Sequence, residues 1–298
     1  MSHAKHNAQV QILHAADGYP ITAYLYATAR SPVKGQLLVA GATGVGQQFY
    51  RRFAEYACAQ GFNVLTLDYR GIGQSAPKQL KGFKMAFADW GQLDLAAAVD
   101  FMQRDDLPLF LVGHSYGGHA LGLLPNHAKV SRCYTLGTGA GWHGWMPLQE
   151  RLKVQLMWNV LFPVLVAWKG YLPWKVLGLG EDIPRDAYRQ WKRWCGMPHY
   201  FFDDPLIRDA KKQQFAQVRT PITAAVALDD LWALPVSRDA FMQYYSGAEV
   251  MCQDIDPRAY HLELGEMGHM GYFRPKAQPL WDQVLAWFTA PLASSEAD

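Results

Sequence analysis

The run Leu109-Phe110-Leu111-Val112 is apolar without a break, and Gly113-His114-Ser115-Tyr116-Gly117-Gly118 follows it directly. An uninterrupted apolar run suits a strand buried on both faces. The glycines permit a sharp turn at its end, and residues 119–124 read as the helix that leaves it. A G-x-S-x-G turn between strand and helix holds its serine in a strained conformation, with the hydroxyl beyond the sheet edge. The competing reading is a glycine-rich packing turn around an inert serine.

Strand and helix signals alternate along the rest of the chain. Residues 10–15 and 21–27 flank Asp17-Gly18-Tyr19-Pro20 and predict an opening hairpin. Residues 36–40, 64–67, 130–136 and 222–228 read as further strands. Tyr50, Phe53, Ala54, Ala57 and Cys58 share one helical face, which Gly61 ends. Trp90, Leu93, Ala97 and Phe101 form a second stripe, with Asp89 expected as its cap, and residues 280–288 form the closing helix. This order predicts an α/β fold, a mostly parallel sheet covered by helices on both faces.

Between the strands at 130–136 and 222–228 the pattern breaks for about 70 residues, too long for a structureless loop. Seven of the eleven tryptophans fall there. Residues 142–210 are therefore expected to form an inserted helical cap, with 1–141 and 211–298 as the core. The apolar stretch 154–168 is too short for a membrane span of about 20 residues and reads as buried helix. Its expected packing stripe is Trp158, Leu161, Phe162, Leu165 and Trp168.

With 28 Lys+Arg against 26 Asp+Glu, the formal charge of +2 gives no electrostatic case for nucleic acid or an anionic membrane. The polar N-terminus lacks the apolar core of a signal peptide. Four scattered cysteines, none in a C-x-x-C pair, suit a reducing cytoplasm. Neither cofactor nor metal is expected. His114 and His119 lie five apart, off the helical face that a metal pair would use. Gly41-Ala42-Thr43-Gly44 lacks the Lys-Ser/Thr of a phosphate loop.

A hydroxyl needs a base to become a nucleophile. After a serine in this kind of turn, the acid comes next in the chain and the histidine last. Of the downstream histidines His119, His127, His143, His199, His261 and His269, the last is the expected base, because Gly268-His269-Met270-Gly271 lies just before the final helix and its glycines allow a loop that brings the imidazole over the sheet edge. The strand at 222–228 runs into Asp229-Asp230, either of which could orient an imidazole; the strand at 130–136 ends only in small residues. The expected oxyanion donors are the amides of Tyr116 and Ala42.

These elements together resemble the α/β-hydrolase superfamily. The resemblance is carried by Gly113–Gly118, Gly268-His269, Asp229-Asp230 with Pro235, and Asp68-Tyr69-Arg70-Gly71-Ile72-Gly73-Gln74-Ser75. Within it, Gly41-Ala42-Thr43-Gly44 with Phe49-Tyr50-Arg51-Arg52-Phe53, and Leu177-Gly178-Leu179-Gly180-Glu181-Asp182, look like a bacterial group of predicted hydrolases of unassigned substrate. The chain is similar, more distantly, to the monoglyceride-lipase and serine-aminopeptidase branch. Ala40 departs from the histidine that many relatives carry before the oxyanion glycine. The resemblance favours Asp230 over Asp229 and implies a Ser115–His269–Asp230 triad that cleaves an acyl bond of a small, apolar substrate. The alternatives are an acyltransferase, thioesterase, peptidase or C–C hydrolase with the same triad, and a non-catalytic binding protein.

Overall fold

The computed structural model describes residues 8–258 and 264–291. The N-terminal stretch that argued against a signal peptide falls largely outside these residues, and His261 falls outside them altogether.

Strands β1 (Gln9–His14) and β2 (Pro20–Tyr26) form the opening antiparallel hairpin. Then come β3 (Gly35–Ala40), helix α1 (Arg51–Ala59), β4 (Phe62–Leu67), α2 (Ala96–Met102), β5 (Leu109–His114), α3 (Tyr116–Ala120) and β6 (Arg132–Leu136). The long connection after β6 holds α4 (Leu148–Leu156), α5 (Phe162–Lys169), the short pair β7 (Tyr171–Leu172) and β8 (Ile183–Pro184), α6 (Arg185–Cys195) and α7 (Arg208–Ala216). Strand β9 (Ile222–Ala227), α8 (Pro235–Met242), β10 (Val250–Ile255) and α9 (Gln278–Thr289) complete the described chain.

The eight-stranded sheet has the order β1-β2-β4-β3-β5-β6-β9-β10. It is antiparallel only where β2 joins β1 and β4. Strands β3, β5, β6 and β9 are buried along their whole length, as suits mainly apolar strands covered on both faces. Alternate residues serve opposite faces: Leu37 and Val39 pack with α1 and α9, and Leu38 and Ala40 with α2, α3 and the α4–α6 segment. β10, which the sequence reading missed, is a half-exposed edge strand with little apolar signal.

Two helical stripes differ from expectation for one reason. Trp90–Leu95 and Met157–Leu161 are π turns, whose extra residue shifts every later side chain around the axis. Asp94, Leu95, Ala98 and Val99 are therefore buried, while Leu93, Ala97 and Phe101 are half-exposed. Along α4 and α5 the buried positions are Val154, Trp158, Phe162 and Val166, whereas Leu161 and Trp168 face solvent. Asp89 does not cap the first of these helices; its carboxylate accepts from the Ala86 N–H at 2.8 Å.

Candidate active site

Ser115 sits between β5 and α3 with φ 52° and ψ −111°, a conformation that costs about 1–3 kcal/mol for a non-glycine residue. Its backbone is clamped on both sides. Its N–H donates to Leu136 O at 2.9 Å, and its carbonyl accepts from Gly118 N and from Thr138 Oγ1. The glycines are steric requirements: a Cβ at Gly117 would lie 2.0 Å from Ala40 O, and one at Gly113 would lie 2.5 Å from Gly118 N.

Ser115 and His269 line one cavity of about 280 Å³. The His269 Nδ1–H donates to Asp230 at 2.9 and 3.0 Å. The buried Asp230 carboxylate also accepts from Tyr272 OH at 2.8 Å and from the amides of Trp232 and Ala233. Because an ionised carboxylate only accepts, Nδ1 carries the proton and Nε2 is left as the basic nitrogen. Burial alone would raise the Asp230 pKa, but the facing imidazole and these donors pull it below the usual carboxylate value. Burial would likewise lower that of His269, and the Asp230 charge more than offsets it, leaving His269 above its ordinary value.

Asp229, the other acid of the pair, does not touch the imidazole. It accepts from the amides of Met267 and Gly268 at 2.8 and 3.2 Å and so fixes the loop that carries His269. The sequence identified the pair as candidates, with Asp230 preferred as the acid, and did not foresee that Asp229 would hold the loop of His269.

Ala42 lines the cavity, yet its N–H donates to the Tyr50 hydroxyl at 2.7 Å. The amide expected to face an oxyanion is thus engaged by a buried side chain. Thr43, next in the turn, also lines the cavity, and its N–H has no acceptor among the described residues. The Tyr116 N–H lies in the first turn of α3, where a helix offers no backbone acceptor.

Tyr50 belongs to a relay that the sequence reading did not find. His114 Nε2 lies 2.9 Å from His269 O, an atom that only accepts, so Nε2 carries the proton. His114 Nδ1 therefore accepts from Tyr50 OH at 2.9 Å, while the Tyr50 oxygen accepts from Ala42 N. Burial depresses the His114 pKa to about 3, so the ring stays neutral. One chain of hydrogen bonds thereby joins the turn after β3, the residue before Ser115 and the backbone of His269. Tyr50 also packs against Gly41 and braces the turn from behind, where Ala40 has no polar side chain. A histidine at the end of an apolar strand was the available signal, since a buried ring nitrogen needs a partner.

His119 is buried, donates through Nε2 to Gly139 O at 2.8 Å and is held neutral by burial, at a pKa of about 4. The Asp68–Ser75 segment is structural: Asp68 accepts from the amides of Gln47 and Gln74, and Arg70 pairs with Asp94 and Asp17. The connection after β6 meets the turn after β3 at Gly44, whose carbonyl accepts from Glu181 N at 2.7 Å. Trp174, Leu179 and Trp191 of that connection line the cavity with Ser115. Among the described residues, no group of three or more His, Cys, Asp or Glu side chains is placed to hold a metal, and no helix is long and apolar enough to cross a membrane.

The family model for serine aminopeptidases, S33, matches residues 30–155, a span with Ser115 and the β3 turn but without Asp230 and His269. With the sheet order above, it shows that the chain has the α/β-hydrolase fold. No curated protein matches it significantly. Among solved structures it is similar to a soluble variant of monoglyceride lipase from Saccharomyces cerevisiae in complex with a substrate analogue. That match has 15% identity over 97% of this chain and 96% of that one, with a TM-score of 0.65. DcsB, in complex with its substrate analogue, matches at 16% identity over 95% and 99% of the two chains, with a TM-score of 0.63. The Pyrococcus furiosus esterase Pf2001 matches at 11% identity over 95% and 91%, with a TM-score of 0.58.

Proposed function

We propose that the protein is a serine hydrolase that cleaves a carboxylic ester-type bond of a small, apolar substrate through an acyl-enzyme. The observation that carries this reading is the strained Ser115 sharing a cavity with His269, whose other nitrogen is held by the buried Asp230. Ser115 is the nucleophile, His269 the general base and then acid, and Asp230 the group that orients the imidazole and stabilises its cation. The Tyr116 amide and the Ala42–Thr43 turn, fixed from behind by Tyr50, receive the developing oxyanion. Residues 142–210 act as a cap that roofs this cleft, which fits the tryptophans of that segment in the cavity wall. The lipase and esterase among the similar structures agree with an ester as substrate.

The test is hydrolysis of short p-nitrophenyl esters by the wild type and by Ser115→Ala. The wild type is expected to turn over, and the variant to lose kcat by about 10⁶, the scale on which a serine triad loses its nucleophile. Equal rates would refute the assignment.

A further inference from the structure

From Leu148 to Lys169 the chain forms one continuous helix of α4, the π turn and α5. One face, with Val154, Trp158, Phe162 and Val166, is buried. Two residues out of phase, Leu148, Leu152, Leu156, Val160, Val164 and Trp168 are 54–70% exposed. In a pure α-helix each four-residue step overshoots the turn by about 40°. The wider π turn in the middle takes part of this back, so the six side chains stay on one outer face. A stripe of this length and exposure is larger than the scattered apolar residues of an ordinary surface and marks an interaction surface.

The surroundings of the stripe specify the occupant. At its C-terminal end Lys169 Nζ lies 4.1 Å from the centre of the Trp168 ring, and the Lys81 stem packs on Gly170. A groove beside that end is lined by Lys78, Lys81, Lys169 and Lys175. Its two acids, Glu181 and Asp182, are both engaged by Lys175, through its ammonium at 2.7 Å and its N–H at 3.0 Å. Lys78, Lys81 and Lys169 have no carboxylate partner among the described residues. The other end carries the exposed Arg151. A second copy laid along the stripe in either direction would bring cation against cation. An anionic lipid surface accepts both features: acyl chains take the apolar residues, headgroups the lysines, and Trp168 the boundary between them.

We propose that this helix docks the protein on an anionic lipid surface, lying in the interface rather than crossing it. Lys153 and Met157 of the same helix line the cavity of Ser115, so the docked face adjoins the candidate site. The docking claim stands apart from the role given to Ser115. The balanced net charge that argued against membranes conceals this placement, because lysines at the stripe are offset by acids elsewhere.

Co-sedimentation with phosphatidylcholine vesicles, with and without phosphatidylglycerol, tests the proposal. The wild type and Ser115→Ala should both pellet with the anionic vesicles, and less so as salt is raised. The combined variant Leu156→Ser, Val160→Ser, Trp168→Ser should keep its circular dichroism and melting temperature, because these side chains face solvent, and should lose binding about tenfold or more. Lys81→Gln with Lys169→Gln should remove most of the salt dependence. Wild type that stays in the supernatant, or stripe variants that pellet equally well, would overturn the docking claim. So would a stripe-dependent dimer in sedimentation velocity without vesicle binding. None of these outcomes bears on Ser115.

Discussion

His269 and its two neighbouring aspartates show how adjacent residues of one type divide a task. Asp230 faces the ring and Asp229 holds the loop. Asp230→Asn is expected to lower kcat by about 10⁴, as loss of the orienting carboxylate does in serine triads. Asp229→Asn should cost far less, and equal losses would place the acid elsewhere. The proposed base, His269, must be unprotonated to act, so the acid limb of kcat/KM should lie above the ordinary histidine pKa of about 6.5. The sign follows from Asp230, which raises the His269 pKa against burial. In Asp230→Asn burial acts unopposed and the limb should move down; a wild-type limb below 6.5 would contradict this. Tyr50→Phe leaves Ala42 N–H and His114 Nδ1 without partners, at a cost of about 1–3 kcal/mol in urea unfolding. It should also lower kcat more than it raises KM, because the turn it frees lines the cavity of Ser115.

The elements were legible wherever burial is symmetrical or a turn demands glycine. Strand β5 announces itself by the unbroken run Leu109–Val112 and β3, β6 and β9 by mainly apolar segments, and the elbow by glycines that the packing requires. Gly117→Ala is accordingly expected to cost about 3 kcal/mol or more, or to prevent folding, since its methyl would meet the Ala40 carbonyl. A variant as stable as wild type in urea would mean that strand and helix are not in such close contact. Two helices were misread because a period of 3.6 residues cannot foresee a π turn. The edge strand β10 carried little apolar signal to read. Within the site, Ser115, His269 and the Asp229-Asp230 pair could be picked out by motif and chain order. The Tyr50–His114 relay could not, because it depends on a tertiary contact between residues 64 apart.

At the scale of the molecule, the sheet's carboxyl edge and the long connection after β6 enclose one largely apolar cavity around Ser115 and His269. Each buried methylene of a ligand contributes about 0.8 kcal/mol, nearly fourfold in affinity. For p-nitrophenyl esters kcat/KM should therefore rise from acetate to a medium acyl chain; a flat or falling series would contradict an apolar acyl site and leave the triad untouched. The most direct test of the account is the intact mass after treatment with a fluorophosphonate, which reacts only with an activated serine. Wild type should gain one adduct, located on the peptide that contains Ser115, and Ser115→Ala should gain none. An adduct of the same extent on the alanine variant, or no adduct on the wild type, would contradict the assignment of Ser115 as the nucleophile.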